Sequence, residues 1–376
     1  MDQSVTEVLH SFQIEGTLLS IAPHKNGHIN DTFISTWRKS DAEKHYIHQR
    51  INHQVFTDVD RLMQNISAIT SHIASRITSG SGERTLELIM TKSRELYATD
   101  SRGNYWRSYH CIPDTISYDI SPSPEIARRA AAAFAGFQEH LLDLNPDDFP
   151  PSIPGFQDIS SRFTALDAAM QKDAAGRLKQ LGAEIDFALQ RREHPEVLKR
   201  AIDDGSVPLR VVHGDLKINN VLFSKQTGEA VCVIDLDTTM PGTIIYDFGD
   251  FVRSAGVTSA EDEADLSKVG LNFDIFESLA SGYVGTLVPR LSPGELELLP
   301  CGPALLSLSL GVRFLTDYLN GDTYFKVKDP EHNLRRIRAQ FQLRRSFETH
   351  TDRMRSTLSL IAKHCHNTPL RASIPA

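Results

Sequence analysis

The sequence predicts an α+β chain in two lobes, a small antiparallel β-sheet lobe followed by a larger, mainly helical one. Three observations carry this expectation. Short apolar runs separated by turn residues dominate up to Ile112. Long runs with apolar residues at helical spacing dominate beyond it. Two strand-like pieces around Val211 and Val231 interrupt that helical part. The expected lobes are residues 1–112 and 113–376.

In the first lobe, Leu18–Ile21, Thr32–Trp37 and Tyr46–Ile51 read as strands, with Asn26-Gly27 between the first two as a turn. Val59, Leu62, Met63, Ile66, Ile69, Ile73 and Ile77 recur on one helical stripe, which Ser79-Gly80-Ser81-Gly82 ends. Thr85–Met90, Glu95–Ala98 and Tyr105–Ile112 read as further strands. In the second lobe, Ser123-Pro124-Glu125 starts a helix, with Ser as cap, Pro at the first position and an early acid. Four prolines make Asn145–Pro154 a loop. Phe163, Leu166, Met170, Leu178, Leu181, Ile185 and Leu189 read as one long helix, and helices resume after Ile234 to about Ala362.

Forty basic against 48 acidic residues give a formal charge of −8. That balance argues against a nucleic-acid binder and offers nothing to an anionic membrane. Met1–Glu7 lacks a basic region followed by an apolar core, and no apolar run approaches the roughly 20 residues needed to span a bilayer. Cys111, Cys232, Cys301 and Cys365 are far apart and form no Cys-x-x-Cys pair, so they read as reduced thiols. The expectation is a soluble, cytoplasmic monomer without nucleic-acid or membrane partners.

The chemistry concentrates in Val211–Phe223, which contains His213-x-Asp215-Leu216-Lys217-x-x-Asn220, the pattern of a kinase catalytic loop. A polar turn and the apolar run Val231–Ile234 follow, ending in Asp235. Phosphoryl transfer needs charge neutralised on the phosphates and an acceptor hydroxyl held in line. Asp215 suits the base, and Lys217 suits charge stabilisation on the transferred phosphate. Asn220 and Asp235 offer the hard oxygens that magnesium prefers. Asp235-Leu236-Asp237, read as extended chain, sends its two carboxylates to opposite sides, so Asp237 either reaches a second metal or caps a turn.

Protein acceptors are disfavoured, because Asp-Leu-Asp stands where protein kinases carry Asp-Phe-Gly and no Ala-Pro-Glu segment follows. Tyr246-Asp247-Phe248-Gly249-Asp250 arrives early instead, with Asp247 expected to hold the catalytic loop through backbone N–H groups. The loop Asn26–Asp31, containing Gly27, is the candidate nucleotide-covering loop. The third strand, Tyr46–Arg50, lacks the phosphate-pairing Lys of kinases, so that either Arg50 or Gln49 substitutes or the pairing is absent.

At these residues the chain resembles the aminoglycoside phosphotransferase and choline kinase superfamily, whose fold is protein-kinase-like. Within it the chain is most similar to the N-acetylhexosamine 1-kinases. The shared runs include Gly27–Asn30, Gln49–Asn52, Val233–Thr238, Asp247–Asp250, Glu261–Glu263, Arg313–Leu315, Gly321-Asp322, Tyr324-Phe325 and Pro330–Leu334. The resemblance implies ATP- and Mg2+-dependent phosphorylation of the anomeric 1-hydroxyl of N-acetylglucosamine or N-acetylgalactosamine. It makes 1–112 the nucleotide-binding lobe, with Gly27, Arg50, Asn220 and Asp235 toward ATP. Residues 113–376 become the catalytic and substrate-binding lobe, with His28, Asp215, Arg313 and Tyr324 toward the sugar. Gly214-Asp215-Leu216 departs from the Asn-Asp-Thr of those kinases, so the acceptor can differ. The alternatives are a kinase for another small alcohol (another sugar, homoserine, choline or an aminoglycoside) and a non-catalytic nucleotide-binding regulator.

Overall fold

The computed structural model describes residues 3–24 and 29–367. The chain divides into two compact units. The first comprises Met1–Ser117, Asp143–Pro154 and Asn220–Met240. The second comprises Tyr118–Leu142, Gly155–Asn219 and Pro241–Ala376. A β-sheet lobe and a helical lobe are thus the architecture, as the sequence predicts.

In the first unit, helix α1 (Gln3–Leu9) precedes strands β1 (Thr17–His24), β2 (Asp31–Lys39) and β3 (Ala42–Arg50). Ser40 and Asp41 alone link β2 to β3, and Ser40 takes the positive φ of 54° that a two-residue hairpin turn demands. Helix α2 (Val59–Arg76) follows, started by the Asp58 side chain, which accepts the Arg61 N–H at 3.0 Å. Strands β4 (Ala98–Thr99) and β5 (Tyr105–His110) complete an antiparallel sheet of order β1-β2-β3-β5-β4. β6 (Thr115–Ile116) pairs with a hairpin of β8 (Val221–Ser224) and β9 (Ala230–Val233). Val5, Val8, Leu9 and Phe12 form the α1 side of a core shared with Trp37 and Trp106. Their i, i+3, i+4, i+7 spacing marks an amphipathic helix that the reading above leaves out. Thr85–Met90 forms no strand; Leu88 makes one isolated bridge to Tyr109. The chain there is tied to β5 by single backbone hydrogen bonds, Ile89 N–H to the Ser108 carbonyl at 2.8 Å and His110 N–H to the Glu87 carbonyl at 3.0 Å.

The second unit holds helices α3 (Pro124–Leu141), α4 (Ile159–Lys172), α5 (Gly182–Leu189), α6 (Glu196–Asp203) and the short strand β7 (Arg210–Val212). It continues with α7 (Ile244–Ala255), α8 (Phe273–Leu287), α9 (Pro293–Leu298), α10 (Gly302–Leu319) and α11 (His332–Asn367). The expected long helix from Phe163 to Leu189 is two helices. Asp173 takes the left-handed conformation (φ 39°), ends α4, and its carboxylate accepts the N–H groups of Arg177 and Leu178 at 2.8 and 3.1 Å. The apparent period does not match burial in the second helix, which buries Glu184, Phe187 and Ala188 while Leu189 is exposed.

One close helix contact, between α7 and α10, lies two residues along α7 from Asp247 of the candidate site. A Cβ built on Gly249 of α7 would stand 2.4 Å from the Gly302 carbonyl carbon of α10, and one on Gly302 would stand 2.3 Å from the Ile245 oxygen. The backbones therefore touch where side chains would not fit. The run Pro293–Leu319 is long and apolar enough to cross a membrane by composition, an exception to the expectation above. Its most apolar window is 67% buried, as befits a core helix.

Candidate active site

In the second unit, β7 delivers the chain to His213, which is 1% exposed and packed edge-on against Phe134 and Phe137. Gln138 Nε2 donates to the Val211 carbonyl at 3.0 Å and fixes the strand before the loop. The carboxylate of Asp247, in the first turn of α7, accepts the backbone N–H groups of His213 (3.0 Å) and Gly214 (2.9 Å). Burial pushes its pKa up to about 8, against the pull of those two N–H groups. The loop-holding role expected of Asp247 is thus present in the geometry. Gly214 adopts φ 83°, and the Asp215 N–H turns back on the His213 ring Nδ1 at 3.3 Å.

Lys217 Nζ stands 2.6 Å from Asp215 Oδ1. Burial works against ionisation of Asp215, but the Lys217 ammonium, with His213 and Arg253, outweighs it and holds the carboxyl below its usual range. Burial likewise opposes the Lys217 charge, and Asp215 and Asp250 override it, raising its pKa. Asp250 is itself bound by Arg253 at 2.6 Å. Ser254 Oγ donates to the Leu216 carbonyl at 3.0 Å. Beside Lys217 opens a cavity of about 180 Å3, with Asn219, Arg253, Glu261 and Gln340 in its wall.

Arg313 lies with its guanidinium carbon 5.7 Å from the Tyr324 ring and 5.3 Å from the Phe325 ring. Tyr324 is 66% exposed, on a loop whose shape comes from Asp317. That carboxylate accepts the N–H groups of Thr323, Tyr324 and Phe325 at 2.9, 2.7 and 3.1 Å. Asn333 Nδ2 joins Asp317 to Asp322, which Arg177 pairs at 2.6 Å. Several residues that stand out in the downstream sequence therefore build the loop that presents Tyr324. Glu261–Glu263 starts no helix; Asp262 is tied to Lys328 (3.0 Å) and His332 (3.1 Å).

In the first unit, the β8–β9 hairpin brings Asn220 and Asp235 to the same end. Val221 faces Val233, and the Ile234 N–H donates to the Asn220 carbonyl at 2.9 Å. The segment after Ile234 is not extended, as the sequence reading has it. Asp235 is left-handed (φ 64°, ψ 60°), and Leu236–Thr238 is a 3-10 turn. Asp237 accordingly turns inward: it is 4% exposed, with Oδ1 2.5 Å from Arg107 Nη1 and Oδ2 accepting from Asn30 Nδ2 at 2.7 Å. Ser152 Oγ donates to the Asp237 carbonyl at 2.7 Å. Arg107 Nε donates to Gln49 Oε1 at 2.9 Å, and Asn30 Oδ1 accepts the Asn52 N–H at 2.9 Å. Arg50 pairs with Asp31 at 2.5 Å at the end of the β2–β3 ladder. Gly27 and His28 lie outside the described residues.

An amide oxygen and a carboxylate at one hairpin end suit a cation that takes oxygen ligands and completes its shell with phosphate and water. Among the described residues, no three His, Cys, Asp or Glu side chains are grouped to hold a metal by themselves. The donor set fits magnesium carried with a nucleotide.

The family described as "Phosphotransferase enzyme family" matches residues 20–274. The chain belongs to this family. This phosphotransferase also resembles solved structures across most of its length. An aminoglycoside phosphotransferase from Alicyclobacillus acidocaldarius superposes with a TM-score of 0.55 at 13% identity, covering 98% of this chain and 97% of that one. The ethanolamine kinase of Plasmodium vivax gives 0.54 at 16%, covering 85% and 82%. A spectinomycin phosphotransferase in complex with ADP and spectinomycin gives 0.51 at 13%, covering 97% and 98%. These likenesses establish the shared fold.

Sequence reasoning brings Asp215 with Lys217, Arg313 with Tyr324, and Asn220 with Asp235, and each pair is together in its own unit. It missed Arg107. The available signal was the one Arg inside the aromatic-rich run Tyr105–Ile112, one strand away from the position that lacks a Lys.

Proposed function

We propose that this phosphotransferase is an ATP- and magnesium-dependent small-molecule kinase whose acceptor is the anomeric 1-hydroxyl of N-acetylglucosamine or N-acetylgalactosamine. The observation that carries the kinase reading is the pinned catalytic loop: Asp247 holds His213 and Gly214, leaving Asp215 ionised beside Lys217. An ionised carboxylate within reach of a hydroxyl accepts its proton as the oxygen attacks phosphorus. Magnesium-bound ATP supplies the transferable phosphoryl group, and Asn220 and Asp235 are the residues suited to hold its metal. The absent activation segment favours a small acceptor over a protein.

The sugar assignment is supported by the downstream resemblance and by Arg313 beside the exposed Tyr324. A guanidinium next to an aromatic face offers donors for hydroxyl oxygens and a surface for the C–H face of a pyranose. The test is ADP release with ATP, magnesium and a panel of free sugars, homoserine, choline and an aminoglycoside, with product phosphorus NMR. An anomeric phosphate from an N-acetylhexosamine supports the assignment. Turnover confined to another alcohol removes the hexosamine and leaves the kinase. No turnover with any acceptor, and no nucleotide binding, removes both.

A further inference from the structure

We propose that Arg107 is the positioning residue of the metal-binding loop, its guanidinium fixing Asp237 and through it the backbone turn that aims Asp235. The inference rests on the kinase reading above. Arg107 is 1% exposed and sits on β5 directly across from Gln49 of β3 in the ladder register. β3 is the strand on which the sequence lacks the expected Lys. The buried positive charge is therefore present but displaced by one strand. It does not lie on the surface of the sheet; it is spent on Asp237, two residues beyond Asp235.

The connections run further than one ion pair. Gln49, which accepts from Arg107 Nε, donates to Thr32 Oγ1 at 3.2 Å near the start of β2. Asn30, which donates to Asp237, lies at the C-terminal end of the candidate nucleotide-covering loop and receives the Asn52 N–H. Asp237 thus gathers β3, β5 and the exit of that loop onto the 3-10 turn that follows Asp235. A non-glycine residue in the left-handed region needs surrounding structure to hold it there. A buried ion pair is weak evidence for stability as such, because desolvation offsets most of the attraction. Its contribution here is to geometry: with Arg107 removed, Asp237 loses its cation and the turn keeps only its hydrogen bonds to Asn30 and Ser152.

The test compares full-length wild type with Arg107→Met and Arg107→Lys, using calorimetric nucleotide binding with magnesium and with EDTA. Wild type is expected to bind ATP more tightly with magnesium. In Arg107→Met that metal-dependent gain should shrink at least tenfold, while affinity in EDTA changes less than threefold. Arg107→Lys should recover part of the gain. A folded Arg107→Met with the wild-type metal-dependent gain overturns the proposal, as does a parallel loss with and without metal. Should Arg107→Met not fold, Asp237→Asn and Arg107→Lys are read by the same criterion, and an unchanged gain in both overturns it. Wild type that binds no nucleotide refutes the kinase reading and this inference with it. A normal wild type with an unaffected variant refutes the inference alone.

Discussion

Lys217 reaches its catalytic-loop neighbour Asp215 directly, Nζ to Oδ1 at 2.6 Å. In an ordinary ion pair on a solvated surface this would contribute little. Here it decides the protonation state of the candidate base, because burial alone would raise the Asp215 pKa and Lys217 is the first group opposing it. Lys217→Met should therefore shift the acid limb of the kcat/KM pH profile to higher pH. At neutral pH kcat should drop by roughly 10²–10³-fold as charge stabilisation goes too. An acid limb that stays in place would show that Lys217 does not tune Asp215.

Asp247 accepts the backbone N–H groups of two successive residues of the loop, His213 and Gly214. Asp247→Ala removes the acceptor that both N–H groups share and should cost about 2–4 kcal/mol in chemical denaturation, with turnover lost as the loop slackens. Asp247→Asn keeps one acceptor oxygen and should lose less of both. Equal losses for the two variants would contradict an accepting role.

His48 bridges Ser35 and Ser108, each at 2.7 Å, at a position 1% exposed. Burial lowers its pKa to about 4. The unfolded chain binds a proton near pH 6.5 while the folded one does not until about pH 4, so stability is present above 6.5 and is lost as pH falls between the two. Between pH 7.5 and 4.5 this group should remove about 2–3 kcal/mol of unfolding free energy. His48→Gln should flatten that part of the pH–stability curve; an unchanged slope would assign the loss elsewhere.

Gly249 and Gly302 let α7 and α10 meet backbone to backbone. Gly249→Ala or Gly302→Ala should destabilise by about 3 kcal/mol or more, because backbone rather than a flexible side chain must move. Gly285→Ala on α8 is the matched control: its Cβ would meet only the Cys365 Sγ, at 3.9 Å. That change should be neutral or slightly stabilising through helix propensity, read as a thermal midpoint.

The candidate catalytic segment was legible because its information is local. His213, Asp215, Lys217 and Asn220 occupy a short window whose spacing already encodes the chemistry. The β2 and β3 strands and helices α2 and α3 were legible for the same reason, through periodicity and caps. What escaped depends on contacts between distant segments. Nothing near Arg107 in sequence announces Asp237, and at Asp173 the helical period outweighed the break signal of Gly176 three residues on. Gly249 sits in a triplet that looks like a kinase loop, yet it lies inside a helix, where its missing side chain admits Gly302.

The left-handed Asp235 also sets selection for robustness against selection for catalysis. A β-carbon at φ 64° costs about 1 kcal/mol that glycine would not incur, and asparagine tolerates that region well. Laboratory evolution screened on heat resistance alone would drift toward Gly or Asn at this position. The survivors would be sturdier proteins missing a carboxylate at the hairpin end, so any thermostabilisation of this enzyme has to hold position 235 out of its library.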